Sequence, residues 1–257
     1  MIHATALIHP GAQLAENVTV GAYSIIGEKV VVGAGTVIDD HVRIEGRTTI
    51  GQRNHIHSFC SLGGIPQDKK YAGQDTALEI GDDNTIREFC TFNLGTEEDG
   101  GVTRLGNHNW MMAYVHLAHD CQVGNHTTFA NNASLAGHVH VGDWAIMAGF
   151  SGVHQFCRVG EHAFVGISAV VTQDVPPFVT VAGNPTTPHG INSEGLRRRG
   201  FSAEDVAAIK EAYRTLYRRG LPLKDAIEAI AQLCQQHPRV LPLLDFLRAG
   251  TGRGILR

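Results

Sequence analysis

The chain of 257 residues has no run of 18 apolar side chains, so no segment reads as a membrane-spanning helix. Its first residues, MIHATALIHPGA, lack the basic start and apolar core of a secretory signal, and a cytoplasmic location is expected. Cysteine is scarce. The five, Cys60, Cys90, Cys121, Cys157 and Cys234, form no CxxC pair and are odd in number, which argues against a disulfide scaffold and a cysteine-rich zinc site. A basic excess is missing too: 21 Lys and Arg face 25 Asp and Glu, a net charge of −4, so no nucleic-acid partner is expected. Aromatics make up only 7%, while 30 glycines fit many short strands and turns better than a helical bundle.

What the chain does have is a period. From Ile8, every sixth residue is aliphatic: Leu14, Val20, Ile26, Val32, Ile38, Ile44, Ile50, Ile56, Leu62. The register resumes at Ile80, Ile86 and Phe92, slips by one, and runs from Leu105 through Leu117, Leu135 and Val153 to Val171. Glycine often follows, as at Gly21, Gly33, Gly51 and Gly124, and the fifth place is small or β-branched, as at Val18, Ser24, Ala133 and Ala163. A period of six is not the 3.6 of an amphipathic helix. It matches a solenoid of short strands and tight turns, in which each repeat covers the apolar face of the next. Cys60, Cys90, Cys121 and Cys157 all fall in the fifth place, where a free cysteine acts as a small packing residue. The pattern resembles the hexapeptide-repeat acyltransferases. That resemblance implies a left-handed parallel β-helix with three hexads, 18 residues, per coil.

Two stretches interrupt the repeat, at 63–79 (GGIPQDKKYAGQDTALE) and 95–104 (GTEEDGGVTR), and both read as loops on a rigid scaffold. Pro176 and Pro177 are expected to close the solenoid. From Ser202 the period becomes helical: Ser202 is a candidate N-cap with Asp205 three residues on, and Val206, Ile209, Tyr213, Leu216 and Tyr217 share one face. Two more helices are expected, in LPLKDAIEAIAQLCQQ and PRVLPLLDFLRAG. The expected fold is therefore an all-β solenoid over 1–185 followed by a small α-helical domain over 186–257. Between Leu196 and Gly220, seven Lys or Arg face three acids. That basic stretch is either a solvated helix face or a dock for an acidic partner.

Histidine is concentrated between Tyr114 and Gly142, at His116, His119, His126, His138 and His140. An 18-residue coil places His119, His138 and His154 on one face of three consecutive coils, about 4.8 Å apart as adjacent strands are. Gly137 then stacks on His119, and Gln155 lies one coil further. A solvated row, a zinc site and a general base all fit this pattern. Acyl transfer to a hydroxyl needs a base that is neutral near pH 7 and an oxyanion donor, which His119 and the Gly137 N–H supply. His126 and His140 read as surface residues.

The motifs HLAHD (His116 to Asp120), LAGHV (Leu135 to Val139) and VHQFC (Val153 to Cys157), with QDKKYAG, QDVPP, GNPTTPHGIN and EGLRRRGF, resemble the UDP-N-acetylglucosamine acyltransferases that open lipid A biosynthesis. The resemblance spans essentially the whole chain. It implies a homotrimer with sites in the clefts between subunits, an acidic acyl carrier protein as donor docking on the basic tail, and UDP-N-acetylglucosamine as acceptor. His119 would be the base, Asp120 its orienting carboxylate and Gly137 the oxyanion donor. Asp68, Lys70, His116, His138, His154 and Gln155 match substrate-contacting positions, and Asn192, Glu194, Arg198 and Arg199 match those that hold the UDP group. This chemistry calls for no cofactor and no metal.

Two departures stand out. Ile167 follows Val165-Gly166 where the best-known members have a second glycine, and with Phe164 it would shorten the acyl groove, favouring hydroxyacyl chains nearer 10 to 12 carbons than 14. Pro185 replaces a histidine of some relatives, which leaves open whether the acceptor presents a 3-hydroxyl or a 3-amine. Rival readings are the related N-acyltransferase, whose extra domain before the β-helix has no room here, an acetyl-coenzyme A sugar acetyltransferase, and a zinc anhydrase.

Overall fold

The computed structural model describes residues 1–250 and 252–257. Each hexad forms a short strand and a turn. In strands such as His116–Leu117 and Ser134–Leu135, the second residue points inward and is fully buried. Every third strand pairs in parallel, so the chain winds through three sheets of nine, eight and ten strands, beginning at Leu7–Ile8, Gln13–Leu14 and Thr19–Val20. We call these faces 1, 2 and 3. The coil is a left-handed β-helix. Its interior is a set of aliphatic columns, for example Leu117, Leu135 and Val153 paired on face 1. Truncating one such residue to Ala costs ~2–5 kcal/mol.

The fifth place of each hexad faces the same interior. Cys60, Cys90, Cys121 and Cys157 are buried there. The thiols of Cys60, Cys90 and Cys121 donate to the carbonyls of Arg87, Met112 and Ala136. Burial pushes Cys121 up to about 12 and Cys157 up to about 11, so both stay protonated and unreactive. Asn54, Asn84 and Asn109 take this place on one corner and form a ladder: Asn84 and Asn109 donate backbone N–H groups to the side-chain oxygen one coil back, at 2.9 Å.

Each corner needs a left-handed residue to turn the chain. Outside the glycines it is supplied by residues such as Tyr114, Asp120, His126, His138 and Phe156, with φ between 56° and 66°. Stacked coils put these side chains one above another. Tyr23, His41, Phe59, Phe89 and Tyr114 thus form a continuous column with ring centroids 4.8–5.2 Å apart on the corner from face 3 to face 1.

Both interruptions leave from the corner between faces 1 and 2. The first connects strands Ser61–Gly64 and Ala77–Ile80, the second Thr91–Asn93 and Val102–Leu105. The pairing of Ile80 with Leu105 and of Leu105 with Val123 shows the interior column intact across both. Pro176-Pro177 stands where face 2 would continue. The coil does not stop there: face 3 gains Val179–Ala182 and, antiparallel to it, Thr187–Ile191. The expected division at 185/186 falls between those two strands.

Four α-helices follow among the described residues: α1 (Ser193–Arg198), α2 (Ala203–Tyr217), α3 (Leu223–Gln236) and α4 (Leu241–Ala249). Ser202 and Asp205 form a capping box at the start of α2. Ile209, Leu216, Ile230 and Leu244 bury a second core with Phe178 and Leu196. Arg158 fastens α4 to face 2, pairing with buried Asp174 at 3.0 Å, donating to the Phe246 carbonyl and lying 4.1 Å over its ring. No helix among the described residues is long and apolar enough to cross a membrane.

Candidate active site

His119 and Asp120 form the turn that follows strand His116–Leu117, between faces 1 and 2. Asp120 is the left-handed residue of that turn, and its side chain is fully buried. A buried carboxylate needs partners for its lone pairs. Thr96, from the second loop, donates its backbone N–H to both oxygens at 2.8 and 3.0 Å and its hydroxyl at 2.6 Å. Thr103 Oγ1 accepts the Asp120 N–H at 2.8 Å. Asp120 Oδ2 then meets His119 Nδ1 at 2.8 Å and His138 Nδ1 at 3.8 Å. A proton on His119 Nδ1 donated to this carboxylate leaves Nε2 as the acceptor, the tautomer a general base requires.

Gly137 lies on the face of the His119 imidazole. A Cβ there would sit 2.5 Å from Cε1, so the ring's place depends on a residue without a side chain. Among the described residues the Gly137 N–H donates to no protein acceptor. His138 crosses His119 edge-on at 4.9 Å and stacks on Phe156 at 4.4 Å. His116 projects from face 1 and bonds Thr91 Oγ1 at 2.8 Å; burial holds its pKa below the ordinary imidazole value, so it is neutral near pH 7. His154 and Gln155 are exposed two coils from the His119 coil, on the same corner. Asp68 and Lys70 lie on the first loop, whose Lys70 Nζ reaches Glu98 of the second at 3.3 Å.

The other residues expected at the site lie elsewhere in the chain. Asn192 caps α1 through Gly195 and donates to the His162 carbonyl, on the corner between faces 2 and 3. Arg199 donates to His162 Nδ1 at 3.0 Å and lies 5.1 Å over Trp144, while Arg198 is exposed and pairs with Glu194 at 2.9 Å. Phe164 is on face 3, and Ile167, 70% exposed, is in the turn from face 3 to face 1. One chain therefore distributes these groups over all three corners. A cavity of about 910 Å³ lies on face 2 under α4, lined by Arg104, Gln122, His140, Arg158 and Phe246, and holds none of them. Thr96 and Thr103 are the site residues that sequence reasoning did not single out. Their only signal was membership of the second loop.

A triangular coil of hexads with a histidine–carboxylate pair on one corner defines the class, the hexapeptide-repeat acyltransferases. A family model for bacterial transferase hexapeptides matches residues 1–34, and one described as UDP N-acetylglucosamine O-acyltransferase, domain 2, matches residues 174–256. An acyl-(acyl-carrier-protein)–UDP-N-acetylglucosamine O-acyltransferase of Thiobacillus denitrificans is 63% identical over 256 residues, covering 100% of this chain and 99% of its own length. The Francisella novicida UDP-N-acetylglucosamine acyltransferase structure superposes with a TM-score of 0.97 at 43% identity, over 100% of this chain and 94% of that one. The Arabidopsis enzyme does so at 0.86 and 34%, over 100% of both chains. The chain belongs to the UDP-N-acetylglucosamine O-acyltransferase family.

Proposed function

We propose that this enzyme transfers an (R)-3-hydroxyacyl group from acyl carrier protein to the glucosamine 3-hydroxyl of UDP-N-acetylglucosamine, opening lipid A biosynthesis. The observation that carries the reading is the His119–Asp120 pair beside Gly137, in a chain matched end to end by relatives with that name. His119 Nε2 takes the proton as the 3-hydroxyl oxygen attacks the thioester carbon. The Gly137 N–H faces the oxyanion that forms. The C–S bond then breaks, and the imidazolium returns its proton to the carrier thiol. Asp120 steadies the imidazolium, and Thr96 holds Asp120.

The site is completed by other copies of the chain in a homotrimer. Support for this is the distribution described above: the base, the UDP-binding groups around α1 and the acyl-limiting Ile167 lie on three different corners. Arg198 is the exposed guanidinium suited to a diphosphate, whereas Arg199 is committed to Trp144 and His162. The acidic carrier docks on the basic stretch from Leu196 to Gly220. Its surface pairs with Glu194 and Glu211 are weak and leave room for a competing acidic face.

Ile167 closes the acyl groove early, so donors of 10 to 12 carbons are preferred. A panel of (R)-3-hydroxyacyl carrier proteins, assayed with UDP-N-acetylglucosamine and read by product mass, tests donor and acceptor together. The expected result is a singly O-acylated sugar nucleotide formed fastest from the shorter donors, with Ile167→Gly moving the preference toward 14 carbons. No product from any donor would sink the function. Fastest transfer from the 14-carbon donor, unmoved by Ile167→Gly, would sink the length assignment alone.

A further inference from the structure

We propose that Asp39, His55 and His57 bind one transition-metal ion of the zinc type on face 3, away from His119. Strand His55–Ile56 lies on face 3. Ile56 is wholly buried, so the period of two sends His55 and His57 outward together. An H-x-H pair in extended chain, here at the end of the strand, aims two imidazoles at one point in space. Ile38 pairs with Ile56 in the preceding coil, which sets Asp39 beside His57.

The distances fit coordination. Both Asp39 oxygens lie 3.1 Å from His55 Nε2, and Oδ2 lies 3.2 Å from His57 Nδ1. The edge of a tetrahedron with zinc–ligand bonds of about 2.0 Å is roughly 3.3 Å. The three donor atoms all fall within 4.8 Å of one another. The two rings stack at 3.9 Å and 27°, so their nitrogens face the same carboxylate.

The other cluster of this composition, His119, Asp120 and His138, is different in kind. Its carboxylate already accepts three hydrogen bonds from Thr96 and faces His119, which uses the lone pairs a metal would need. The hydrogen bonds of the Asp39 carboxylate go to an imidazole that coordination would keep in place. Glu88 lies 4.0 Å from His57 but takes the Nε and Nη2 protons of Arg87, so the set is three protein donors with a position open to water. An ion held there ties two consecutive coils together without touching the corner of His119.

The test uses the full-length chain, stripped with EDTA and titrated with Zn²⁺ alone by calorimetry, with melting followed in parallel. One ion per chain is expected, with a higher melting temperature when Zn²⁺ is present. His57→Ala should weaken binding at least tenfold and abolish the melting shift, while His138→Ala should leave both unchanged. Co²⁺ should give visible absorption bands with the wild type and not with His57→Ala. Should His57→Ala fail to fold, the more exposed His55→Ala serves with the same expectation. The proposal is overturned if the wild type takes up no Zn²⁺, if the face 3 variants bind as tightly as the wild type, or if only His138→Ala loses the ion.

Discussion

Two corners of the same prism carry histidines and behave differently. On the corner between faces 2 and 3, His126 is the left-handed residue of its turn and is stacked between His108 at 4.8 Å and Trp144 at 4.1 Å. On the corner between faces 1 and 2, the same turn position in neighbouring coils holds Asp120 and His138, with His119 just before Asp120. The backbone is alike on both corners, and so is the interior beneath. What differs is a buried carboxylate, a glycine one coil away, and two loops that leave the coil there. An imidazole in a ring stack contributes packing. The same imidazole on a fixed carboxylate, with one nitrogen open, has the geometry the proposed base requires.

That contrast can be broken most severely at Asp120. Asp120→Asn keeps the size and loses the charge that sets the His119 tautomer and steadies the imidazolium. A fall in kcat of about 10² or more is expected, with the melting temperature as the control. Removing the ring of His126 from the other corner should leave kcat within a few-fold, read in the same assay.

A smaller effect is expected at Thr96, a positioning residue that acts through Asp120. Thr96→Val removes the 2.6 Å hydroxyl bond and keeps the backbone donor. A hydrogen bond to a charged group is worth ~1.5–3 kcal/mol, so a kcat loss of roughly tenfold is expected, with KM nearly unchanged. A purely structural Thr96 would lower the melting temperature and spare kcat; a positioning Thr96 lowers kcat in the fraction that remains folded.

An effect on stability, with none expected on turnover, tests the packing corner. Burial, then the charge of Arg199, pushes His162 down to about 4. Its unfolded value is higher, so the unfolded chain binds the extra proton first. The stability held in the neutral ring is complete above pH 6.5 and is lost as pH falls toward 4, by about 2 kcal/mol at pH 5. Urea midpoints at pH 7 and pH 5 measure this loss. His162→Phe, which keeps the stack with Phe178, should flatten the difference between them.

The coil was legible because its interior repeats one demand, an aliphatic residue every six, over most of the chain. The positions from Leu117 to Leu135 to Val153 read the same in sequence and in register. The end of the solenoid was harder. Strand Thr187–Ile191 is antiparallel and carries no hexad, and the six-residue α1 is too short to show a helical period. Of the site, His119 and its stacking on Gly137 followed from the coil length. The bond from Thr96 to Asp120 did not, because it joins residues 24 apart through a loop that no period describes. The stacking of His126 was also hidden. Its ring partners lie 18 residues away on either side, a spacing that only the coil brings together.

The most direct test of His119 as the base is the turnover of His119→Ala with both substrates saturating. The expected kcat is ~10²–10⁴ below wild type, with an unchanged fold and sugar-nucleotide binding within a few-fold of wild type. A kcat within a few-fold of wild type would contradict it.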